Sequence, residues 1–317
     1  EYGIVGSGSL STLNLVVGIL VAMLVAMVLL GGIKRIGSVS EKLVPFMALF
    51  YIVLSVGVVV LNFSRLPYVL ESIVAGAFNP AAFTGGTIGS LFVSMQKGVS
   101  RGIFSNEAGL GTGSIAHACA DTKKPVKQGM FGIFEVFADT IVVCTLTALV
   151  ILTTGVVDLE SGAVLAGVQD NALVGQAFST VFGHYGPKFI AVSILLFAYS
   201  TVLGWSHYGT KACEYLFGTK ASVGYKVVFV GMVMVGATMK LGLAWDLSDT
   251  FNGLMMLPNL IGVLALSGTV ARITKNYIDR RLHGKNVAPL WSAFEEYQRE
   301  EEAQEAAEVQ LDKAANE

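Results

Sequence analysis

Apolar stretches long enough to cross a bilayer alternate along this chain with short clusters of charge, and the alternation predicts a bundle of spanning helices. Residues 13–30 carry no charge and end in Gly31, Gly32, Ile33, Lys34 and Arg35; a run of about 20 apolar residues is what a crossing needs. Residues 43–63 repeat the pattern between Lys42 and Arg65, with Pro45 expected in the first turn, where a missing N–H costs little. Residues 66–82 are less apolar and hold Pro67, Glu71 and Pro80, which predicts short surface helices. Later crossings are expected at 130–154, 189–207, 227–239 with some extension at both ends, and 251–273, with a long loop at 155–188.

Residues 87–120 have the length of a crossing but not its texture. The centre, Arg101 to Gly113, reads RGIFSNEAGLGTG. Gly102, Gly109, Gly111 and Gly113 each weaken a helix by roughly 1 kcal/mol relative to Ala, and Ser105 and Asn106 compete by bonding locally to the backbone. Local unwinding is the expected result. Within a membrane, irregular backbone persists only where protein or a watery cavity satisfies its N–H and C=O groups. In transporters such breaks hold substrate and coupling ions. With this interrupted segment the chain has seven predicted crossings.

Lys and Arg cluster at 34, 35 and 42, at 123, 124 and 127, at 211, 220 and 226, and from 272 to 285, always on the same side of the predicted helices. By the positive-inside rule that side is cytoplasmic, which puts the C-terminus inside and Glu1 outside. A transmembrane domain, residues 1–275, is followed by a charged cytosolic tail, residues 276–317, rich in Glu, Ala and Gln. The tail lacks the apolar content to fold alone; an exposed helix held by Glu/Arg and Glu/Lys pairs is the expectation. A start without Met or a basic leader reads as that of a fragment.

Composition agrees: 53% hydrophobic residues, 14% charged and a mean hydropathy of +0.65 exclude a soluble globular protein. The 36 glycines suit close helix packing. Cys119, Cys144 and Cys213 show no ligand spacing and read as packing residues. His117 with Asp121 reads as a structural i, i+4 pair, and the histidines show no metal-site spacing. No phosphate-cradling loop, nucleophile elbow or zinc helix is present, so neither an enzyme nor a cofactor is expected.

The candidate chemistry lies in polar residues inside apolar segments. Arg101 and Glu107 are ionisable groups in the broken stretch, where an unpaired charge costs roughly 2.5–3.5 kcal/mol, so a gating or coupling role stands beside a purely structural pairing. Ser105, Asn106 and the freed backbone from Phe104 to Gly109 offer the donors and acceptors that a zwitterion needs. Ser200 and Thr201, with a carbonyl from the previous turn, that of Phe197, would give a hard cation three oxygens. Equally, each hydroxyl would simply bond to that carbonyl. Trp205, one turn on, would wall a pocket or anchor the interface. Glu135 and Asp139 share a helix face near the basic loop, and contact with Lys124 or Lys127 is favoured over a proton relay.

The run GVSRGIFSNEAGLGTGSIAHACADTKKPVKQG, followed by EVFADTIVVCTLTALVIL, resembles the alanine or glycine:cation symporter family, sodium-dependent amino acid carriers of bacteria and archaea. GGIKRIGSVSEKLVPFMALFYI, AFNPAAFTGGTIG, LLFAYSTVLGWSHYG and GLMMLPNLIG extend the likeness over nearly the whole membrane portion. The resemblance implies an all-α five-plus-five inverted-repeat fold in which the seven crossings correspond to helices four to ten. It implies sodium ligands at Phe197, Ser200 and Thr201, and substrate contacts at Phe104, Ser105, Asn106, Gly109, Thr201 and Trp205. The family's GTGNI-type stretch is absent from this sequence, so half of the binding site lies outside it. The implied activity is symport of alanine, glycine or a similar small amino acid with Na+ across the plasma membrane by alternating access. Proton coupling and a non-transporting amino acid receptor are the alternatives, and no nucleic acid partner is expected.

Overall fold

The computed structural model describes residues 12–78, 88–122, 124–160, 163–164, 171–292 and 294–300, together with 302, 303 and 306. In chain order the helices are α1 Thr12–Leu29, α2 Gly32–Leu61, a 3₁₀ turn Phe63–Arg65, α3 Leu66–Phe78, α4 Ile88–Ser105 and α5 Thr112–His117. There follow α6 Pro125–Val136, a π-helical stretch Phe137–Cys144, α7 Thr145–Thr154, α8 Asn171–Phe182, α9 Tyr185–Phe217, α10 Ala221–Thr238 and α11 Leu241–Arg281. Among the described residues the one β-bridge is isolated, Val157 to Val164, and residues 284–292 carry no regular secondary structure.

Among the described residues, five segments are long and apolar enough to cross a membrane: Arg35–Leu61, Pro125–Thr154, Tyr185–Phe217, Ala221–Thr238 and Leu241–Arg281. Asn14–Leu29 and Ala172–Phe182 are shorter apolar helices. The expected crossing at 13–30 is the first of these, and the expected interrupted crossing is α4, a break and α5. Three expectations need correction. Pro45 is inside α2, not in its first turn, because the helix starts at Gly32; lysine, arginine and glutamate are good helix formers, so the helix runs past the edge of the apolar stretch. The same effect lengthens α9 and α11 beyond 189–207 and 251–273. The expected loop 155–188 contains α8, whose apolar sequence NALVGQAFSTVF forms a helix too short to count as a crossing by length.

Two compact units make up the chain, Glu1–Ser105 with Asp139–Thr250 and Asn106–Ala138 with Phe251–Glu317. In the first, α9 is the central helix and packs on α1, α2, α8 and α10. Its core has one cluster around Tyr51, Val58, Val150, Phe178 and Ile190 and another around Val25, Leu29 and Leu203. In the second, the outer surface of α11 is apolar and open: Leu257, Ile261 and Leu264 are 63%, 72% and 72% exposed. An apolar helix that buries so little against protein suits a lipid surround.

Candidate functional site

In the first unit the site is built on one turn of α9. Ser200 Oγ and Thr201 Oγ1 both donate to the Phe197 carbonyl at 2.9 Å, so the local bonding that the spacing allowed is present. The two hydroxyls then diverge. Ser200 Oγ lies 3.9 Å from Met47 Sδ, whereas Thr201 and Phe197 line a cavity of about 500 Å³ with Tyr51, Asp139 and Thr147. Tyr51 packs edge-on against the Phe197 ring, 6.0 Å between centroids. Its hydroxyl meets Thr147 Oγ1 at 2.7 Å, and Thr147 donates to the Val143 carbonyl at 2.8 Å. Trp205 packs instead on Tyr208, ring centroids 6.0 Å apart.

Asp139 occupies this cavity because of where its helix begins. Pro125 sits at the helix start, where proline is favoured, and the segment runs unbroken to Thr154. Asp139 is therefore about 21 Å along it at 1.5 Å per residue, well removed from the basic loop. It accepts a hydrogen bond from Ser105, the last residue of α4. Glu135 lies 3.5 Å from His117. The expected contacts of these two carboxylates with Lys124 or Lys127 are thus replaced, and His117 bonds Gln128 at 2.7 Å rather than Asp121.

Arg101 also has a partner that sequence reading missed. Its Nη2 donates to Asp249 Oδ2 at 2.9 Å, with the side chains 37% and 38% exposed. Its guanidinium lies 4.0 Å over the Trp245 ring, and Phe104 meets the same indole edge-on at 5.6 Å. The only hint in the sequence is a pair of aspartates, Asp246 and Asp249, just ahead of the last apolar stretch. Lys97 is exposed.

In the second unit the break is a tight turn. Glu107 has φ +50°, Gly109 +79° and Gly111 +87°; left-handed backbone is cheap for glycine and costly for glutamate. Leu110 N–H closes the turn on the Glu107 carbonyl at 3.1 Å, and its side chain is buried. Asn259 Nδ2 donates to the Gly109 carbonyl at 2.9 Å, which satisfies one of the backbone groups the break releases. A Cβ on Gly111 would stand 2.9 Å from Asn259 Oδ1. Asn106, Glu107 and Gly109 thus belong to this unit, and Phe104, Ser105, Phe197, Ser200, Thr201 and Trp205 to the first.

Several apolar spanning segments, a glycine-broken helix and a carboxylate well inside a spanning segment fit a multi-pass helical membrane protein. The chain belongs to the sodium:alanine symporter family, which it matches over residues 5–289. It is 41% identical over 273 residues to the sodium/alanine symporter AgcS of Methanococcus maripaludis, covering 86% of this chain and 59% of that protein. To the amino-acid carrier protein AlsT of Bacillus subtilis it is 35% identical over 278 residues, 87% of this chain and 57% of the relative. To the sodium/proton-dependent alanine carrier protein of Bacillus sp. strain PS3 it is 33% identical over 285 residues, 86% and 63%. The chain thus spans about three fifths of the length of these relatives.

Proposed function

We propose that the protein carries small neutral amino acids, alanine or glycine, into the cell with sodium by alternating access between two faces of the plasma membrane. The observation that carries this reading is the α9 turn. Three oxygens, those of Phe197, Ser200 and Thr201, lie within one turn, and Thr201 opens to a cavity large enough for a small amino acid. Hard cations favour such oxygen sets. Phe104, Ser105, Asn106 and Gly109 would meet the substrate at the unwound backbone, with Trp205 as a wall, and Arg101 and Glu107 would gate. Residues 1–275 would form the transporter domain of a five-plus-five inverted repeat, and residues 276–317 a cytoplasmic tail.

Relatives named as sodium/alanine and sodium/proton-dependent carriers support cation symport; the second name keeps proton coupling as the alternative. Uptake of labelled alanine by the full-length protein in proteoliposomes, under an inward sodium gradient, a proton gradient or neither, separates them. Sodium-driven uptake is expected, and Thr201→Ala should raise the sodium concentration for half-maximal rate about tenfold, the effect of losing about 1.4 kcal/mol of ion binding. Uptake that follows protons alone, or an unaltered sodium dependence in Thr201→Ala, would sink the α9 assignment.

A further inference from the structure

The cavity that Thr201 lines also holds a negative charge for which the transport reading has no use. Asp139 lies well inside the segment Pro125–Thr154, within a π-helical stretch, and lines the cavity with Tyr51, Thr147, Phe197 and Thr201. Carboxylates inside membrane-spanning segments are expensive and belong to ion or proton pathways unless paired. Among the described residues no Lys, Arg or His pairs with Asp139. Arg101, one turn before Ser105 on α4, is taken by Asp249 and Trp245.

Of the hydroxyls around the cavity, those of Thr201, Thr147 and Tyr51 have their protons committed elsewhere. Thr201 donates to the Phe197 carbonyl and Thr147 to the Val143 carbonyl. Because the Thr147 proton is used in this way, Tyr51 is the donor in its bond to Thr147. Ser105 donates to Asp139 itself. What these groups turn toward the cavity is oxygen lone pairs and one carboxylate. On a wall otherwise made of Val, Ile, Phe and Ala side chains, these few oxygens favour a hard cation over an anion.

Resting on the symport reading above, we propose that Asp139 is the anionic ligand of a sodium position in this cavity, additional to the neutral Ser200 and Thr201 turn. The half-exposed carboxylate is then matched by one compensating ion. The ion would take oxygens from Asp139 and from the hydroxyls of the cavity wall. The Ser105 hydrogen bond ties that charge to the residue at which α4 gives way to the broken stretch, so ion occupancy and the break share a contact.

The test uses the full-length protein in proteoliposomes, with the sodium-to-alanine ratio read from the balance of gradients at which net alanine flux stops. Asp139→Asn, isosteric and neutral, should carry one sodium ion fewer per alanine than the wild type. Ser105→Ala, which leaves the carboxylate without its hydroxyl donor, should lower the sodium concentration for half-maximal uptake by about threefold or more, a modest part of what a hydrogen bond to a charged group contributes. An unchanged ratio in Asp139→Asn overturns the proposal. So does an unchanged ratio with a raised KM for alanine at saturating sodium, which would make the substrate's ammonium the partner, or a loss confined to proton flux.

If Asp139→Asn gives no transport, the sodium-dependent rise of the unfolding midpoint in detergent decides. Ser105→Ala must reach half of that rise at lower sodium than the wild type; equal or higher sodium overturns the assignment. Absence of sodium-driven uptake in the wild type would instead remove the symport reading on which this one rests.

Discussion

The backbone leaves α-helical geometry at residues 106–111 and again at 137–144, and it does so by different means. At 106–111 the helix stops: two glycines and Glu107 take positive φ, carbonyls are freed, and the Asn259 side chain is needed to satisfy one of them. At 137–144 the helix continues with a wider turn, keeps its backbone bonded to itself, and carries Asp139 into the cavity. An opened turn offers backbone atoms to a ligand at the cost of a local support. A widened one offers a side chain and needs no support. Peptide dipoles and a carboxylate suit different ligand groups, so the two departures from α geometry differ in what each can offer.

The largest expected effect comes from removing the widened turn. Each π-type hydrogen bond spans one more residue than an α-type bond, so deleting Val142 should let the segment close into continuous α-helix. Closing the turn takes up the deleted residue, so the helix on either side keeps its register, and what is lost is the widened turn on which Asp139 lines the cavity. Sodium-driven alanine uptake by the full-length protein should fall to background while the protein still elutes from a sizing column as one species. Uptake near the wild-type level would make the π-helical stretch incidental.

Closing the opened turn should cost stability first. Gly111→Ala puts an L-residue at φ +87° and a Cβ 2.9 Å from Asn259 Oδ1. Left-handed backbone costs roughly 1–2 kcal/mol outside glycine, and Asn259 must also shift, so a loss of about 2–3 kcal/mol is expected in detergent unfolding. Gly109→Ala should lose less, since its nearest neighbour, Met256 Cγ at 3.4 Å, is flexible. Equal losses in the two variants would mean that Asn259 does not confine the turn.

The two regions also differ in how far sequence discloses them. The break was legible because glycine spacing in an apolar segment states its own conformation, and the spanning helices because apolar length does the same. FADTIVVC holds no glycine or proline, and Ile141, Val142 and Val143 give no local reason for π geometry. Asp139 reads as close to the cytoplasmic loop from an apolar run that begins at residue 130, whereas the helix itself begins at Pro125. Pairings across long separations were invisible for a plainer reason: Arg101 and Asp249, or Gly109 and Asn259, stand about 150 residues apart, and no periodicity connects them. For Ser200 and Thr201, hydroxyl-to-carbonyl bonding is now evident, but it leaves oxygen lone pairs available, so the local bond and an ion-ligand role are compatible.

The smallest effect tests whether Asn259 is the support of the opened turn. Asn259→Ala removes the donor from the Gly109 carbonyl, and a neutral hydrogen bond contributes about 0.5–1.5 kcal/mol, so a loss near 1 kcal/mol is expected in the same unfolding measurement. The informative comparison is the double variant. With Asn259 truncated, the Cβ of Gly111→Ala no longer meets Oδ1, and only the φ penalty remains. The double variant should therefore be more stable than the sum of the single losses predicts, by about 0.5–1 kcal/mol, within the range seen for residues in contact. Additive losses would show that Gly111 and Asn259 act independently, and the turn would then be held by its glycines alone.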